Sequence, residues 1–282
     1  NLADPSAALR EEKVVELLRQ YSMENPTLRY SVDDETSEIV VEGMGELHLG
    51  IIVDRLRDEH GIKVTLGDPK VKNRERPTKE AAFDYTLKKQ SGGRGMVAHL
   101  IGVLGPGEEE FAFTNETTGA TLPTEYVAAC EKGFKACSEK GTLIGAPVVN
   151  YAVLLTGGSH HVEDSSREAF RRAAGGTFRD FFPETDPEII EPLAIVHVTC
   201  PEDYVRGAMG TLGQREGRIM DNEVSGGQSN IRAKVPLRRM FGYITDLRSV
   251  TGGFGDFSME LSGGYRKVPE GIARDLIRAA SE

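Results

Sequence analysis

Leu193-Ala-Ile-Val-His-Val-Thr199 has the branched, alternating composition of a β-strand, and Tyr204 to Leu212 after it sets Val205, Ala208, Met209 and Leu212 on one side of a helix. Two further strands, Arg218–Val224 and Asn230–Val235, are separated by the turn Ser225-Gly226-Gly227. Leu237, Met240, Phe241, Ile244 and Leu247 then form a helical stripe, and Asp256–Leu261 is a last strand. The order is βαββαβ, the split βαβ or ferredoxin-like plan.

Toward the N-terminus the plan returns. Val14, Leu17, Leu18 and Tyr21 recur at helical spacing from Leu9 to Tyr21, and Pro26 closes the segment. Leu28–Val32 and Glu38–Glu42 are short strands joined by an acidic turn. Gly43-Met44-Gly45 opens a second helix with Leu47, Ile51, Ile52 and Leu56 facing inward, and Ile62–Leu66 is a strand. This copy lacks the opening strand. With Asn1 in place of Met, that omission suggests a chain cut from a longer one.

Between the copies, Thr78 to Pro192 is built differently. Strands are expected at Ala81–Leu87, Val97–Val103, Phe111–Asn115 and Val148–Leu155. Helices are expected at Glu125–Lys140, with Tyr126, Cys130, Phe134 and Cys137 inward, and at Asp164–Phe182, with Phe170, Ala174, Phe178 and Phe181 inward. Gly175-Gly176 within the second helix implies close packing against a neighbour. Linkers are expected near Asp68–Pro77 and Pro183–Pro192. The class is α+β, with divisions at 1–72, 73–190 and 191–282, the last ending in a helix.

The 282 residues are 39% hydrophobic and 28% charged, and no apolar run approaches the length of a membrane span. Three cysteines cannot all pair internally, and Cys130 and Cys137, seven apart on one helix face, read as core residues of a reducing compartment. A net charge of −10 argues against non-specific wrapping of nucleic acid, so any RNA contact is local.

Two loops stand out for such a contact. Thr156-Gly-Gly-Ser-His-His-Val-Glu-Asp-Ser-Ser166 joins a strand to a capped helix and reads as a presented turn. Gln90-Ser-Gly-Gly-Arg-Gly95, just after Lys88 and Lys89, lets backbone approach a phosphate while Arg94 engages it. Gly102-Val-Leu-Gly105-Pro-Gly107 reads as a repulsive acidic turn, and no P-loop is present. His160, His161, Glu163 and Asp164 admit a metal reading, with a metallohydrolase as the enzymatic alternative. Adjacent histidines in a turn tend to diverge, however, so no metal site is assigned.

Taken jointly, Gly43-Met-Gly-Glu-Leu-His-Leu49, Gln90-Ser-Gly-Gly-Arg-Gly95, Gly158-Ser-His-His161 with Asp164-Ser-Ser166, and Val235-Pro-Leu237 with Met240-Phe-Gly-Tyr243 and Leu247-Arg-Ser249 resemble elongation factor G, a translational GTPase family. The match runs from about Leu9 to the C-terminus. The resemblance implies domains III, IV and V: two ferredoxin-like domains flanking a ribosomal-protein-like domain IV with a left-handed βαβ crossover. It further implies translocation of tRNA and mRNA on the ribosome, with rRNA of both subunits and the tRNA–mRNA duplex as partners. The fragment would be cytoplasmic, monomeric, free of catalysis and of cofactors, since GTP and Mg belong to the absent GTPase domain. Ser159, His160 and His161 become the tip contacts to RNA, with Lys89, Ser91, Gly92, Gly93 and Arg94 as the partner loop.

Departures from the family pattern include His160 where tyrosine is usual, Asn73-Arg-Glu-Arg76 for a Tyr-Arg-Glu-Thr motif, and Gly50 for a glutamate. They point toward a divergent member or paralogue. A ribosome-recycling paralogue of elongation factor G and a tetracycline-resistance-type ribosomal protection protein are the alternative functions.

Overall fold

The computed structural model describes residues 5–32, 39–43, 46–64, 71–89 and 95–281. Contacts divide the chain into two units, Asn1–Lys70 with Phe241–Asp246, and Val71–Met240 with Leu247–Glu282.

In the first unit, α1 (Pro5–Glu24), β1 (Arg29–Val32), β2 (Ile39–Glu42) and α2 (Glu46–His60) follow the expected order. β1 and β2 pair antiparallel, Arg29 opposite Glu42. Val14, Leu17, Leu18 and Tyr21 of α1 bury against Leu28, Ile52 and Leu56, as the helical spacing demanded. Ile51, expected inward, is 57% exposed, because its neighbour Ile52 takes the core position. Ile62–Val64 is not strand, and residues 65 and 66 lie outside the described residues. Gly61, at φ +67°, turns the chain so that the Ile62 N–H donates to the Leu56 carbonyl at 2.9 Å. Ile62 and Val64 then reach the core by side chain alone.

The second unit begins with β3 (Arg74–Arg76), β4 (Ala81–Lys89), β5 (Met96–Pro106), β6 (Phe111–Asn115), α3 (Thr124–Cys137), β7 (Tyr151–Ser159) and α4 (Arg167–Phe181). β4 to β7 form one sheet in the order β4-β5-β7-β6; β6 and β7 are parallel and joined through α3. Phe83, Leu100, Leu104, Tyr151, Val153 and Leu155 bury one sheet face against Cys130 and Phe134 of α3 and Phe170, Ala174 and Phe178 of α4. All three cysteines are free, and Cys130 is buried in this core.

Glycines allow the layers to approach. A Cβ on Gly176 would lie 2.1 Å from the Tyr85 hydroxyl, whereas one on Gly175 meets only Cys137 at 3.7 Å, so close packing explains the second glycine and not the first. Gly133 of α3 sits 2.8 Å, by the same measure, from the Arg171 carbonyl and the Ala174 Cβ, and fixes the α3–α4 approach. The stretch Gly102–Gly105, expected as an acidic turn, is interior to β5. There a Gly102 Cβ would strike the Leu154 carbonyl at 2.1 Å, so the glycine serves strand packing, and the glutamates follow only after the strand ends.

A 3-10 turn (Phe182–Thr185) leads into β8 (Glu188–Pro201), and the chain continues through α5 (Val205–Gln214), β9 (Arg218–Ser225), β10 (Gln228–Pro236), α6 (Tyr243–Val250), β11 (Asp256–Lys267) and α7 (Glu270–Ala280). The sheet order is β11-β8-β10-β9, all antiparallel, with β3 added beside β8. This is the order the ferredoxin-like plan gives. Ser225 opposes Gln228 across a two-residue loop whose glycines, Gly226 and Gly227, have φ +60° and +77°, the requirement of a type I′ hairpin. The stripe Leu237–Leu247 is split. Leu237–Arg239 is a 3-10 turn, and Gly242 at φ +72° interrupts the chain before α6. The proline-rich linker expected at Pro183–Pro192 is strand from Glu188 onward, so the division expected at 190/191 falls inside β8.

Glu191, buried, lies between Arg238 Nε at 2.7 Å and Arg266 Nε at 2.9 Å, while Glu216 takes Arg238, Arg239 and Arg266. Burial would push the Glu216 carboxyl up, but hydrogen bonds from Arg266 and Arg239 outweigh it and hold the group at about 2. A depressed folded-state pKa stabilises above the unfolded value and is lost as pH falls through the folded one. Acid unfolding followed by circular dichroism is therefore expected to show destabilisation between roughly pH 5 and 2. Glu216→Gln should flatten that dependence and cost about 2 kcal/mol near neutrality.

Candidate nucleic-acid interface

β7 extends four residues past its expected end. Thr156-Gly157-Gly158-Ser159 is strand, paired to β5 with His99 opposite Ser159 and Leu100 opposite Gly158. Two glycines had read as a turn, yet Gly158 is needed because a Cβ there would stand 2.3 Å from the His99 carbonyl. The register slips between Ile101 and Gly102, leaving Thr156 as the extra residue of a bulge, and its hydroxyl reaches the Ile101 carbonyl at 3.3 Å. The presented segment thus begins at His160.

From there the two histidines diverge. His160 Nδ1 lies 3.3 Å from the Thr121 carbonyl, and its ring packs on Tyr126, itself stacked on Phe170 at 4.6 Å. His161 faces its own turn. Its Nδ1 accepts from the N–H groups of Asp164 at 3.3 Å and Glu163 at 3.4 Å, with Asp164 Oδ2 at 3.5 Å from the same nitrogen. In the neutral ring the backbone donors occupy Nδ1; in the charged ring Nδ1–H points at Asp164. Either way Nε2 carries a proton, on a side chain 57% exposed, and is a hydrogen-bond donor to solvent. Val162 beside it is 88% exposed.

The turn is fastened underneath. The Ser165 hydroxyl donates to the Val97 carbonyl at 2.6 Å and accepts the His161 N–H at 2.9 Å, and Ser166 caps α4 by accepting from Ala169 N–H. Asp164 clasps the neighbouring loop: its Oδ1 accepts from the Gly95 N–H at 3.1 Å, and its carbonyl accepts from Val97 N–H at 3.0 Å. A Cβ on Gly95 would sit 2.9 Å from that carboxylate.

Lys89, exposed, is the last residue of β4 and pairs with Met96, the first of β5, at the same end of the sheet as His160 and His161. Ser91, Gly92, Gly93 and Arg94 lie outside the described residues. Of the expected site residues the structure places Ser159, His160 and His161 in succession at this end of β7, and Lys89 at the same end of the sheet two strands away, on the opposite face from Ser159 by strand alternation. Sequence reasoning missed Asp84 and His99, which join Ser159 across three strands, and the clasp role of Asp164; only pairing register exposes these. Among the described residues no group of three or more His, Cys, Asp or Glu converges as metal ligands would.

Comparison with known proteins places three consecutive family models on the chain. They are elongation factor G domain III at residues 3–68, elongation factor G domain IV at residues 69–186, and elongation factor G C-terminus at residues 188–276. The chain belongs to the elongation factor G family. Elongation factor G of Rhodopirellula baltica is 41% identical over 270 residues, 94% of this chain and 39% of that protein. Elongation factor G 1 of Syntrophus aciditrophicus is 43% identical over 92% of the chain and 37% of its own length. A crystal structure of a Thermus thermophilus protein superposes with a TM-score of 0.82 at 34% identity, over 97% of this chain and 41% of that one. The chain thus spans about two-fifths of the relatives it matches. The site described above falls within the stretch matched by domain IV.

Proposed function

We propose that this chain is the ribosome-engaging part of an elongation factor G-type translational GTPase. In this reading the β4–β5 and β7–α4 loops meet the tRNA–mRNA duplex in the decoding region during GTP-dependent translocation. The single observation that carries it is the outward Nε2–H of His161 on a turn clasped by Asp164 and Ser165 to the neighbouring loop. One fixed imidazole donor, an exposed Val162 and Lys89 make a small contact set suited to placement on RNA. A net charge of −10 keeps the rest of the surface from adhering to rRNA indiscriminately. The chain itself does no chemistry and needs no cofactor. GTP and Mg act in a GTPase domain, whose hydrolysis sets the orientation of these domains, while the domain IV end blocks backward slippage of the tRNA–mRNA pair. It acts as a monomer in the cytoplasm.

Chemical footprinting of ribosomes carrying mRNA, tRNA and this chain tests the reading. Decoding-region protection is expected with the unaltered protein, and its loss with His161→Ala. Unchanged protection in that variant overturns the assignment of the tip. Each lost phosphate contact should reduce the salt slope of binding by about one.

A further inference from the structure

On the sheet face turned away from α3 and α4, Thr86 of β4, His99 of β5 and Ser159 of β7 stand in register, with Asp84 two residues along β4. His99 Nε2 lies 2.7 Å from Asp84 Oδ1, and His99 Nδ1 lies 3.2 Å from Ser159 Oγ. Asp84 is 71% exposed and the His99 side chain 26%, so the row runs along an open face and ends at the presented loop. Lys88 follows on the same face of β4 by strand alternation.

The chemistry of the row has a direction. In the neutral ring the carboxylate can only accept, so the imidazole proton resides on Nε2 and Nδ1 is left as an acceptor. Ser159 then spends its hydroxyl hydrogen on Nδ1, and toward an incoming molecule it offers lone pairs alone. A phosphate oxygen, itself an acceptor, has nothing to bond with there. A ribose 2′-hydroxyl or a base N–H does.

We propose that Asp84 and His99 are positioning residues that set Ser159 as a hydrogen-bond acceptor, so that it recognises a donor group of RNA and not its phosphate. The proposal rests on the functional reading above. It divides labour at the tip: His161 donates, Ser159 accepts.

Nitrogen-15 NMR of the imidazole of His99 in the whole chain reads the first step, with the Nε2–H tautomer expected. The Nδ1–H tautomer or a doubly protonated ring at neutral pH overturns the proposal. Affinity for ribosomes programmed with mRNA and tRNA reads the second. Ser159→Ala and Asp84→Leu are each expected to weaken binding about fivefold, the scale of one neutral hydrogen bond, without changing the salt slope. The double variant should be no weaker than Ser159→Ala. A further loss in the double variant would mark Asp84 as merely structural and overturn the proposal. So would a reduced salt slope in Ser159→Ala. Codons and anticodons carrying 2′-deoxyribose separate the two donor sources: loss of the Ser159 effect identifies the 2′-hydroxyl, and its persistence a base N–H. If Ser159→Ala is silent while His161→Ala abolishes the footprint, the polarity assignment fails and the tip reading stands. If both are silent, the tip reading itself fails.

Discussion

Glu75→Ala is expected to destabilise the second unit by about 3–5 kcal/mol in urea unfolding, the largest single-residue effect outside the apolar core. Glu75 is fully buried in β3, and its carboxylate accepts three backbone N–H groups, from Leu143 at 3.0 Å, Ile144 at 2.9 Å and Ala146 at 3.2 Å. Its own N–H and carbonyl bond Pro147 and Val149, so the 141–149 segment is wound around one side chain. Removing the carboxylate leaves three part-buried donors without their partner at once, and a desolvated donor without a partner costs its desolvation. Gly141 supplies the control. A Cβ there would lie 2.2 Å from Glu75 Oε2, so Gly141→Ala should cost about 2–3 kcal/mol alone. In the Glu75→Ala background the same methyl group enters vacated space, and the second cost should largely vanish. Additive costs would show that the carboxylate does not organise the loop.

Gly158→Ala and Gly157→Ala should behave oppositely although the residues are neighbours in one strand. At Gly158 the new Cβ would stand 2.3 Å from the His99 carbonyl and 3.0 Å from Leu122 Cδ1, and the nearer atom is main chain that cannot step aside. β7 would have to lift off β5 at the point where Ser159 meets His99. Thermal unfolding should report a loss of about 2–3 kcal/mol, and ribosome binding should fall with it. At Gly157 the nearest atoms are those of the Ile101 side chain at 3.5 Å and beyond, an ordinary contact, and stability should change by less than about 1 kcal/mol. Equal effects would mean that crowding at the His99 carbonyl is not what selects glycine.

These two positions show why the fold was more legible than the site. The stripes Val14–Leu17–Leu18–Tyr21 and Cys130–Phe134 announce their helices by period alone, and the helices bury them. The alternation of Leu193–Thr199 likewise announced β8, and the sheet order followed the βαββαβ plan. Glycine misled because it marks two unlike things. At Gly226-Gly227 it supplies positive φ for a turn, as expected, whereas at Gly102 and Gly158 it makes room for a facing carbonyl. Both types look alike in a sequence, so β5 and β7 appeared shorter than they are. The polar row Asp84–His99–Ser159 was invisible for a related reason. Its members are 15 and 60 residues apart and meet only through strand register, which no local pattern encodes. His161, by contrast, could be singled out because two imidazoles after glycines stand out locally and adjacent rings in a turn diverge; the partners they diverge toward, Thr121 and Tyr126 for His160 and its own turn for His161, lie beyond any local pattern.

β8 has a mechanical consequence. Fourteen residues of unbroken strand make a rod on the order of 45 Å long. At Ile190 it is bonded on both edges, to Arg74 on one side and Lys267 on the other. Bending the rod there would break backbone hydrogen bonds in two ladders at once, so this stretch resists the hinge motion that a proline-rich joint would have allowed.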